Sequence, residues 1–290
     1  FLKNSKRKDG FVNNYRNFNG KFNGRDGKEE NTDVLQDCFG RYLWALSEIA
    51  NSNYSHKKEA KELFLESIHD SYKLTYPMSK ALTIISLSKF PGENREIEIV
   101  NSNLSYQLLK IFEKNSNENW KGFSDIYTYC ATRPAQAMIL AGDKLKHKEL
   151  INVGKESLDF LIENTIKNNQ FNAIGNKGFF KKGGSPKKYD QQTIESGTMI
   201  EACIDFYKLT NEKKYLDSAL TCFSWFHKNN VNNVEMVTEN GGVYDGLVPS
   251  NITPKGFNSN QGAESIISYL LSLSKFKEVN VNPFEYKLIA

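Results

Sequence analysis

No apolar run in the sequence approaches the ~18 residues that a membrane-spanning helix needs, so no membrane span is expected. Cysteine is scarce: Cys38, Cys130, Cys203 and Cys222 lie far apart and form no C-x-x-C pair. That spacing argues against a structural zinc site and for reduced, packed thiols, with a cytoplasmic location favoured and a secreted one as the alternative. Histidine is equally scarce. His56, His69, His147 and His227 fall on or at the ends of charged helices, which disfavours an epimerase or lyase built on a histidine base. A phosphate site would show a glycine-rich loop with lysine at fixed spacing. The stretch KKGGSPKK at 181–188 is basic and contains glycine, but it fits no such loop and reads as a flexible connection. No Asp-rich DDxxD motif is present, which disfavours terpene chemistry. Nothing in the sequence asks for a metal or a cofactor.

Charge of one sign is also lacking. The net charge is only +4, and the densest basic run, KNSKRKDG at 3–10, reads as a solvated helix end rather than a nucleic-acid patch. No Pro/Ser-rich linker interrupts the chain, so a single domain over residues 1–290 is expected. The chain begins with Phe1 and shows no charged-then-apolar signal sequence. That start suggests a fragment boundary or a processed chain.

What is present is helical periodicity. Helices are expected near 34–51, 56–72, 77–90, 95–114, 131–143, 147–167, 190–209, 212–228 and 259–276. Short strand-like pieces at 11–15, 171–174 and 241–247 lie in connections. The helices alternate in character. One set carries small residues along a face, as in FGRYLWAL, SKALTIIS, RPAQAMIL, ESGTMIEA and GAESIISYL. The other is amphipathic and rich in Lys and Glu. Small residues allow close helix approach inside an assembly, and charged amphipathic helices belong outside. Most charged helices return through long loops, 10–33, 115–130, 168–189 and 229–258, and loops of that length carry function. The pattern is that of an all-α double ring of helical hairpins, an (α/α)6 toroid. Only five inner helices are visible, so the ring is expected to lack one N-terminal hairpin, with self-association through the gap a possible consequence.

Polar residues cluster where the inner helices begin. In YDQQTIESGTMIEAC (189–203), Asp190 reads as an N-cap, and Gln191, Gln192 and Glu195 follow it at spacings that share a helix face. Glu201 lies about 240° further round and is not on that face. A shorter echo, NQGAES, repeats the Q-x-x-E-S spacing with Gln261, Glu264 and Ser265, preceded by Asn258 and Asn260. Asp37 and Arg41 stand four apart, with Trp44 one turn on, and Arg133 precedes Gln136 by three. Trp120, Phe123, Tyr127, Tyr129 and Tyr244 sit in or beside the long loops. Acids in a first helical turn also have a purely structural use, because they complement the helix dipole. Four such motifs at one end point instead to a ligand site. Carboxylates and amides match the hydroxyls of a sugar, and aromatic faces match its C–H face. Paired carboxylates are what glycoside hydrolysis requires. Of Glu195 and Glu264, one is expected to be held ionised by an arginine (Arg41 or Arg133) and backbone amides. The other should face the cleft against an aromatic ring, with a raised pKa.

DCFGRYLWAL (37–46), YDQQTIES (189–196), YDGL (244–247) and NSNQGAES (258–265) together resemble the six-hairpin glycosidase superfamily. Within it they resemble a microbial group often found beside sugar-processing or glycosyltransferase genes. The resemblance runs from about Gly10 to Phe276 and implies an (α/α)6 barrel with a saccharide site at the inner-helix N-termini. Departures from the group's pattern are Thr193 in place of Pro, Gly122-Phe123-Ser124 in place of Trp-Phe-Glu, and Cys130-Ala131 in place of Asp-Asn. Acid positions are thereby lost, although Asp125 could replace one. The group's upstream Asp-Asp-Asn-Ala-Arg helix is missing.

The expected function is therefore carboxylate acid–base hydrolysis of an oligosaccharide by single displacement. Asp37, Glu195, Asp245 and Glu264 are the candidate catalytic groups. Arg41, Trp44, Trp120, Arg133, Gln191, Gln192, Tyr244, Asn258, Asn260 and Gln261 are the candidate substrate-binding residues. The alternatives are a non-catalytic saccharide-binding or scaffolding module linked to glycan synthesis, and a polysaccharide lyase using Tyr and Arg.

Overall fold

The computed structural model describes residues 1–22 and 32–285. The expected loop at 10–33 therefore lies partly outside the described residues. Ten α-helices are described: α1 Leu2–Ser5, α2 Thr32–Asn51, α3 Lys57–Ser67, α4 Pro77–Lys89, α5 Arg95–Asn115, α6 Arg133–Lys144, α7 Lys148–Thr165, α8 Thr193–Thr210, α9 Lys213–Ser224 and α10 Ala263–Glu278. Seven two-residue strands lie in the connections: β1 Ile126–Tyr127, β2 Ile166–Lys167, β3 Gln170–Phe171, β4 Phe180–Lys181, β5 Gln191–Gln192, β6 Gly246–Leu247 and β7 Phe257–Asn258. All pairings are antiparallel: β1 with β4, β2 with β3, and β5–β6–β7 as a three-stranded ribbon. No described helix is long and apolar enough to cross a membrane. None of the four cysteines forms a disulfide.

The chain divides into two compact units, residues 1–114 with 136–154, and residues 115–135 with 155–290. In the first, α2 packs on both α3 and α4. Leu35, Phe39, Leu43, Leu46 and Ala50 of α2 recur at helical spacing and are fully buried. Residues 79–87 of α4 are buried without a break, so this helix has no solvent face. Its start is fixed by Pro77, whose ring presets the helical φ where the N–H has no partner anyway. Gly40 permits close packing: a Cβ there would stand 2.7 Å from Leu82 Cβ. Helix α5 is amphipathic, and Asn94 Oδ1 caps it by accepting the N–H groups of Glu96 and Ile97.

The second unit repeats the scheme. Helix α8 packs on α9 and α10 and is buried continuously from Glu195 to Phe206. Its small residues serve the close approach that the sequence suggested, since a Cβ on Gly197 would stand 3.2 Å from Ser268 Cβ. Asn211, in the left-handed region at φ 57°, ends the helix by donating its N–H to Tyr207 O. Helix α9 presents Tyr215, Ala219, Cys222 and Phe223 inward. Helix α10 buries Ser265, Ser268, Tyr269, Ser272 and Phe276. Ile267, Leu270 and Leu271, on its opposite side, are exposed.

Candidate functional site

Two expected helix starts move. Helix α8 begins at Thr193, not 190, and α10 begins at Ala263, not 259. The residues ahead of each are extended and form the ribbon, with Gln191 opposite Leu247, and Gly246 opposite Asn258. Gly246 makes this possible, because a Cβ there would lie 2.2 Å from Gln191 O. Gln191 is buried: its Oε1 accepts from Trp225 Nε1 at 2.8 Å and its Nε2 donates to Lys188 O at 3.0 Å. It holds the ribbon to the core, and it also lines the cleft beside α10. Asp190 is not a cap, since Gln192 occupies that position and makes no capping bond.

The ribbon and the start of α10 enclose an open cleft of about 430 Å³ in the second unit. Its polar lining includes Asp190, Gln192, Asp245, Asn258, Glu264 and Ser265. Asp245 is the most firmly held. Its Oδ1 accepts from the Gly262 N–H at 2.8 Å and the Ser265 hydroxyl at 2.6 Å, and its Oδ2 accepts from Asn260 Nδ2. Partial burial raises the carboxyl's pKa, but the Ser265, Gly262 and Asn260 donors outweigh it, so the group sits below the usual carboxylate value and stays ionised. Glu264 is exposed to the cleft in the first turn of α10. Asp190 Oδ2 lies 3.9 Å from Lys177 Nζ, while its Oδ1 is enclosed without a hydrogen-bond donor. Tyr244 is half-buried and packs on Phe257 at 4.3 Å between ring centroids. Gln261 is exposed and lies against Gly242 rather than in the cleft lining.

Glu195 sits in the first turn of α8, buried, with Oε1 accepting the Cys130 N–H at 2.8 Å. Burial raises its pKa to about 7 against the opposing pull of the Cys130 and Ala131 amides and the Arg133 charge, and Glu264 pushes it further up. The expectation that the amide-held glutamate stays ionised is not met. The one held by amides is the one with the raised pKa, because desolvation exceeds what the amides return. Arg133 acts on Glu195 through its charge. It forms a buried ion pair with Glu201, Nη2 to Oε1 at 2.9 Å and Nη1 to Oε2 at 3.2 Å. Glu201 lies on a different face of α8 from Glu195 and is buried as well. Helix α8 is enclosed on every side, so a carboxylate 240° round is also buried and needs a counterion. Asp205, one turn on, is paired in the same way with Lys275 at 2.9 Å.

Trp120 is a core residue rather than a platform for a sugar. It packs with Tyr127, Phe160 and Phe180, and its Nε1 donates to Ser124 O at 2.8 Å. Tyr127 is buried in the same cluster. In the first unit, Arg41 Nε donates to Asp37 Oδ2 at 3.0 Å, and Trp44 Nε1 donates to Glu48 Oε1 at 3.0 Å. Both are bonds between successive turns of α2, and Asp37 lies in its second turn rather than its first. Arg41 lines a separate cavity of about 170 Å³ with Phe1, Val12, Cys38 and Tyr42.

The sequence motifs thus bring Gln192, Asp245, Asn258 and Glu264 into one cleft, with Asn260 bonded to Asp245. Asp190 and Ser265 complete it. The Q-x-x-E-S echo pointed to Ser265 without revealing its job. Its counterpart Ser196 donates instead to Cys222 O at 2.7 Å and ties α8 to α9. Among the described residues no cluster of three or more His, Cys, Asp or Glu side chains is arranged to hold a metal ion. The cleft lining contains no histidine. His227 lies between Glu235, 2.9 Å from its Nδ1, and the Tyr269 hydroxyl, 3.3 Å from its Nε2.

No protein-family model matches the sequence, and no curated protein matches it. Solved structures do. A sugar epimerase from a ruminal bacterium superposes with a TM-score of 0.61 at 13% identity, over 89% of this chain and 75% of that one. Cellobiose 2-epimerase from Bacillus thermoamylovorans gives 0.58 at 11% identity, over 87% and 74%. An inactive variant of the alpha-1,6-mannanase GH76A of Salegentibacter sp., in complex with alpha-1,6-mannotetrose, gives 0.57 at 14% identity, over 97% and 85%. Identities this low establish architecture alone, and the architecture is common to all three: the chain has an all-α, (α/α)6-type helical-hairpin fold.

Proposed function

We propose that the cleft beside α10 binds a glycan and that its carboxylates serve hydrolysis of a glycosidic bond. The observation that carries this reading is Asp245, fixed in its ionised form by three donors and sharing one cleft with Glu264. In a single displacement, Asp245 would activate water as the general base. The acid would come from the Glu264–Glu195 pair. Glu264 is the member open to the cleft, and Glu195, with its pKa raised to about 7, retains a proton near neutrality. Gln192, Asn258 and Asp190 supply donors and acceptors for sugar hydroxyls. The sugar chemistry named for the solved relatives supports a saccharide as ligand. The epimerases among them are less apt as mechanistic guides, because every acid–base group lining this cleft is a carboxylate. Four cysteines without a disulfide among them support a reducing compartment.

A non-catalytic saccharide-binding module is the second reading. It is favoured by the burial of Glu195 and Trp120 and by a cleft lining that holds no aromatic residue. A lyase is less well supported, since Arg133 is engaged by Glu201 and Arg41 by Asp37. The test is turnover of an oligosaccharide panel by the wild-type protein and Glu264→Gln. Hydrolysis that falls about 10²-fold or more in the variant, with affinity retained, supports the proposal. Binding without cleavage selects the binding module, and unsaturated products absorbing in the ultraviolet select the lyase.

A further inference from the structure

The Ser265 hydroxyl that holds Asp245 is itself held. Ser265 Oγ lies 2.6 Å from Asp245 Oδ1 and 3.2 Å from Thr193 Oγ1, and Thr193 and Ser265 are both buried. A hydroxyl has one proton to donate, and an ionised carboxylate can only accept. Ser265 therefore donates to Asp245 and accepts from Thr193. The direction of the chain is fixed: Thr193 to Ser265 to Asp245. It runs from the first residue of α8, through the first turn of α10, to the residue ahead of β6, across 72 and then 20 residues of sequence.

Neighbouring hydroxyls behave differently. Thr198, Ser268 and Ser272, on the same two helices, each donate to a carbonyl three or four residues earlier in their own helix. Thr193 and Ser265 instead direct their protons toward a charged group. Capping of α10 accounts for the Gly262 bond to Asp245 at 2.8 Å, but not for the two hydroxyls. The bonds also distinguish the two carboxylate oxygens. Oδ1 takes two donors, the Gly262 N–H and the Ser265 O–H, which occupy its two lone pairs. Among the described residues Oδ2 takes one, Asn260 Nδ2, and keeps an acceptor position open.

We infer that Thr193 is a positioning residue for Asp245: through the Ser265 hydroxyl it commits Oδ1 to the protein and leaves Oδ2 as the oxygen that meets the cleft. The inference rests on the reading of Asp245 as the general base. Oδ2 is then the oxygen that takes the proton from water, because a base needs a free lone pair within reach of that proton. Thr193 is not part of the cleft lining, so its effect reaches the site through Ser265. The Thr193 proton polarises the Ser265 O–H and strengthens its bond to the carboxylate. Burial raises the Asp245 pKa, and Ser265 heads the donors that bring it down. Without Thr193 the Ser265 hydroxyl loses its orienting partner, and its bond to Asp245 weakens.

The experiment is a carbon-13 carboxyl NMR titration of Asp245, its signal assigned by its loss in Asp245→Asn. Thr193→Val and Thr193→Ala both remove the hydroxyl, so a folding failure in one leaves the other. Both should move the Asp245 titration to higher pH than in wild type. Ser265→Ala should move it further. Thr193→Val/Ser265→Ala should move it no further than Ser265→Ala alone, because Thr193 acts only through that hydroxyl. Thr193→Ser should restore the wild-type curve, and Ser272→Ala, the control, should leave it unmoved. On an oligosaccharide that the protein hydrolyses, Thr193→Val should lower kcat about 2- to 10-fold with KM kept, the size of one hydrogen bond. The acid limb of the kcat/KM profile should move with the titration. An Asp245 titration unmoved in folded Thr193→Val or Thr193→Ala overturns the inference and leaves the saccharide reading standing. A moved titration with hydrolysis undiminished in Asp245→Asn upholds the positioning of Asp245 and overturns its reading as the base.

Discussion

The Oε1 oxygen of Glu195 accepts the backbone N–H of Cys130 at 2.8 Å, across 65 residues of sequence. Cys130 presents that N–H from a left-handed backbone, φ 53°, which an L-residue adopts at a cost. The bond joins the loop ahead of α6 to the first turn of α8, and it is too little to keep the carboxyl ionised in so dry a place.

A pH dependence follows. Burial raises the Glu195 pKa from its ordinary value of 4.5 to about 7. The folded protein therefore binds more protons than the unfolded chain between those values, and its stability falls as pH rises through the window. Glu195→Gln should remove this loss. Relative to wild type, the variant should gain stability between pH 5 and pH 8, on the order of 3 kcal/mol at most. Urea denaturation at the two pH values measures it, and parallel curves for the two proteins would refute the assignment.

The Arg133–Glu201 pair should behave as a buried unit. Arg133→Met alone leaves a carboxylate without its cation and should cost about 3–5 kcal/mol. Arg133→Met/Glu201→Leu should recover much of that, because neither charge then remains to be solvated. A double-mutant cycle in urea reads the coupling. Additive losses would mean that the two groups do not act as a pair.

Helix periodicity carried most of the fold. The nine expected segments correspond to α2–α10, because apolar residues spaced along one face record burial directly in the sequence. What the sequence concealed depends on partners far along the chain. Gln191 and Gln192 are extended because Gly246 and Leu247, more than fifty residues later, supply ladder partners. Trp120 is buried because Phe160 and Phe180 enclose it. Asp245 and Glu264 were legible as candidates from their motifs. The donors that set the state of Asp245 became visible only when the Gly262 amide and the Ser265 hydroxyl were placed beside it.

The inner helices should tolerate added volume unequally. A Cβ at Gly40 would lie 2.7 Å from Leu82 Cβ and 3.2 Å from Ser79 O. Gly40→Ala must therefore displace α2 from α4, at a cost of about 1–3 kcal/mol. Gly197→Ala would meet Ser268 at 3.2 Å, a contact that a small shift relieves, and should cost under about 1 kcal/mol. The ranking of the two urea midpoints checks this. A Gly197→Ala loss equal to or larger than that of Gly40→Ala would contradict it.

The central claim is that the cleft lined by Asp190, Asp245, Asn258 and Glu264 is where a glycan binds. Its most direct test is a crystal structure of the Glu264→Gln protein with the tightest-binding oligosaccharide from the panel. The glycan should lie against the β5–β6–β7 ribbon, with hydroxyls within hydrogen-bond distance of Asp245 and Asn258. A glycan bound in the first unit at the cavity beside Arg41, or seated anywhere that leaves Asp245 untouched, would contradict the account.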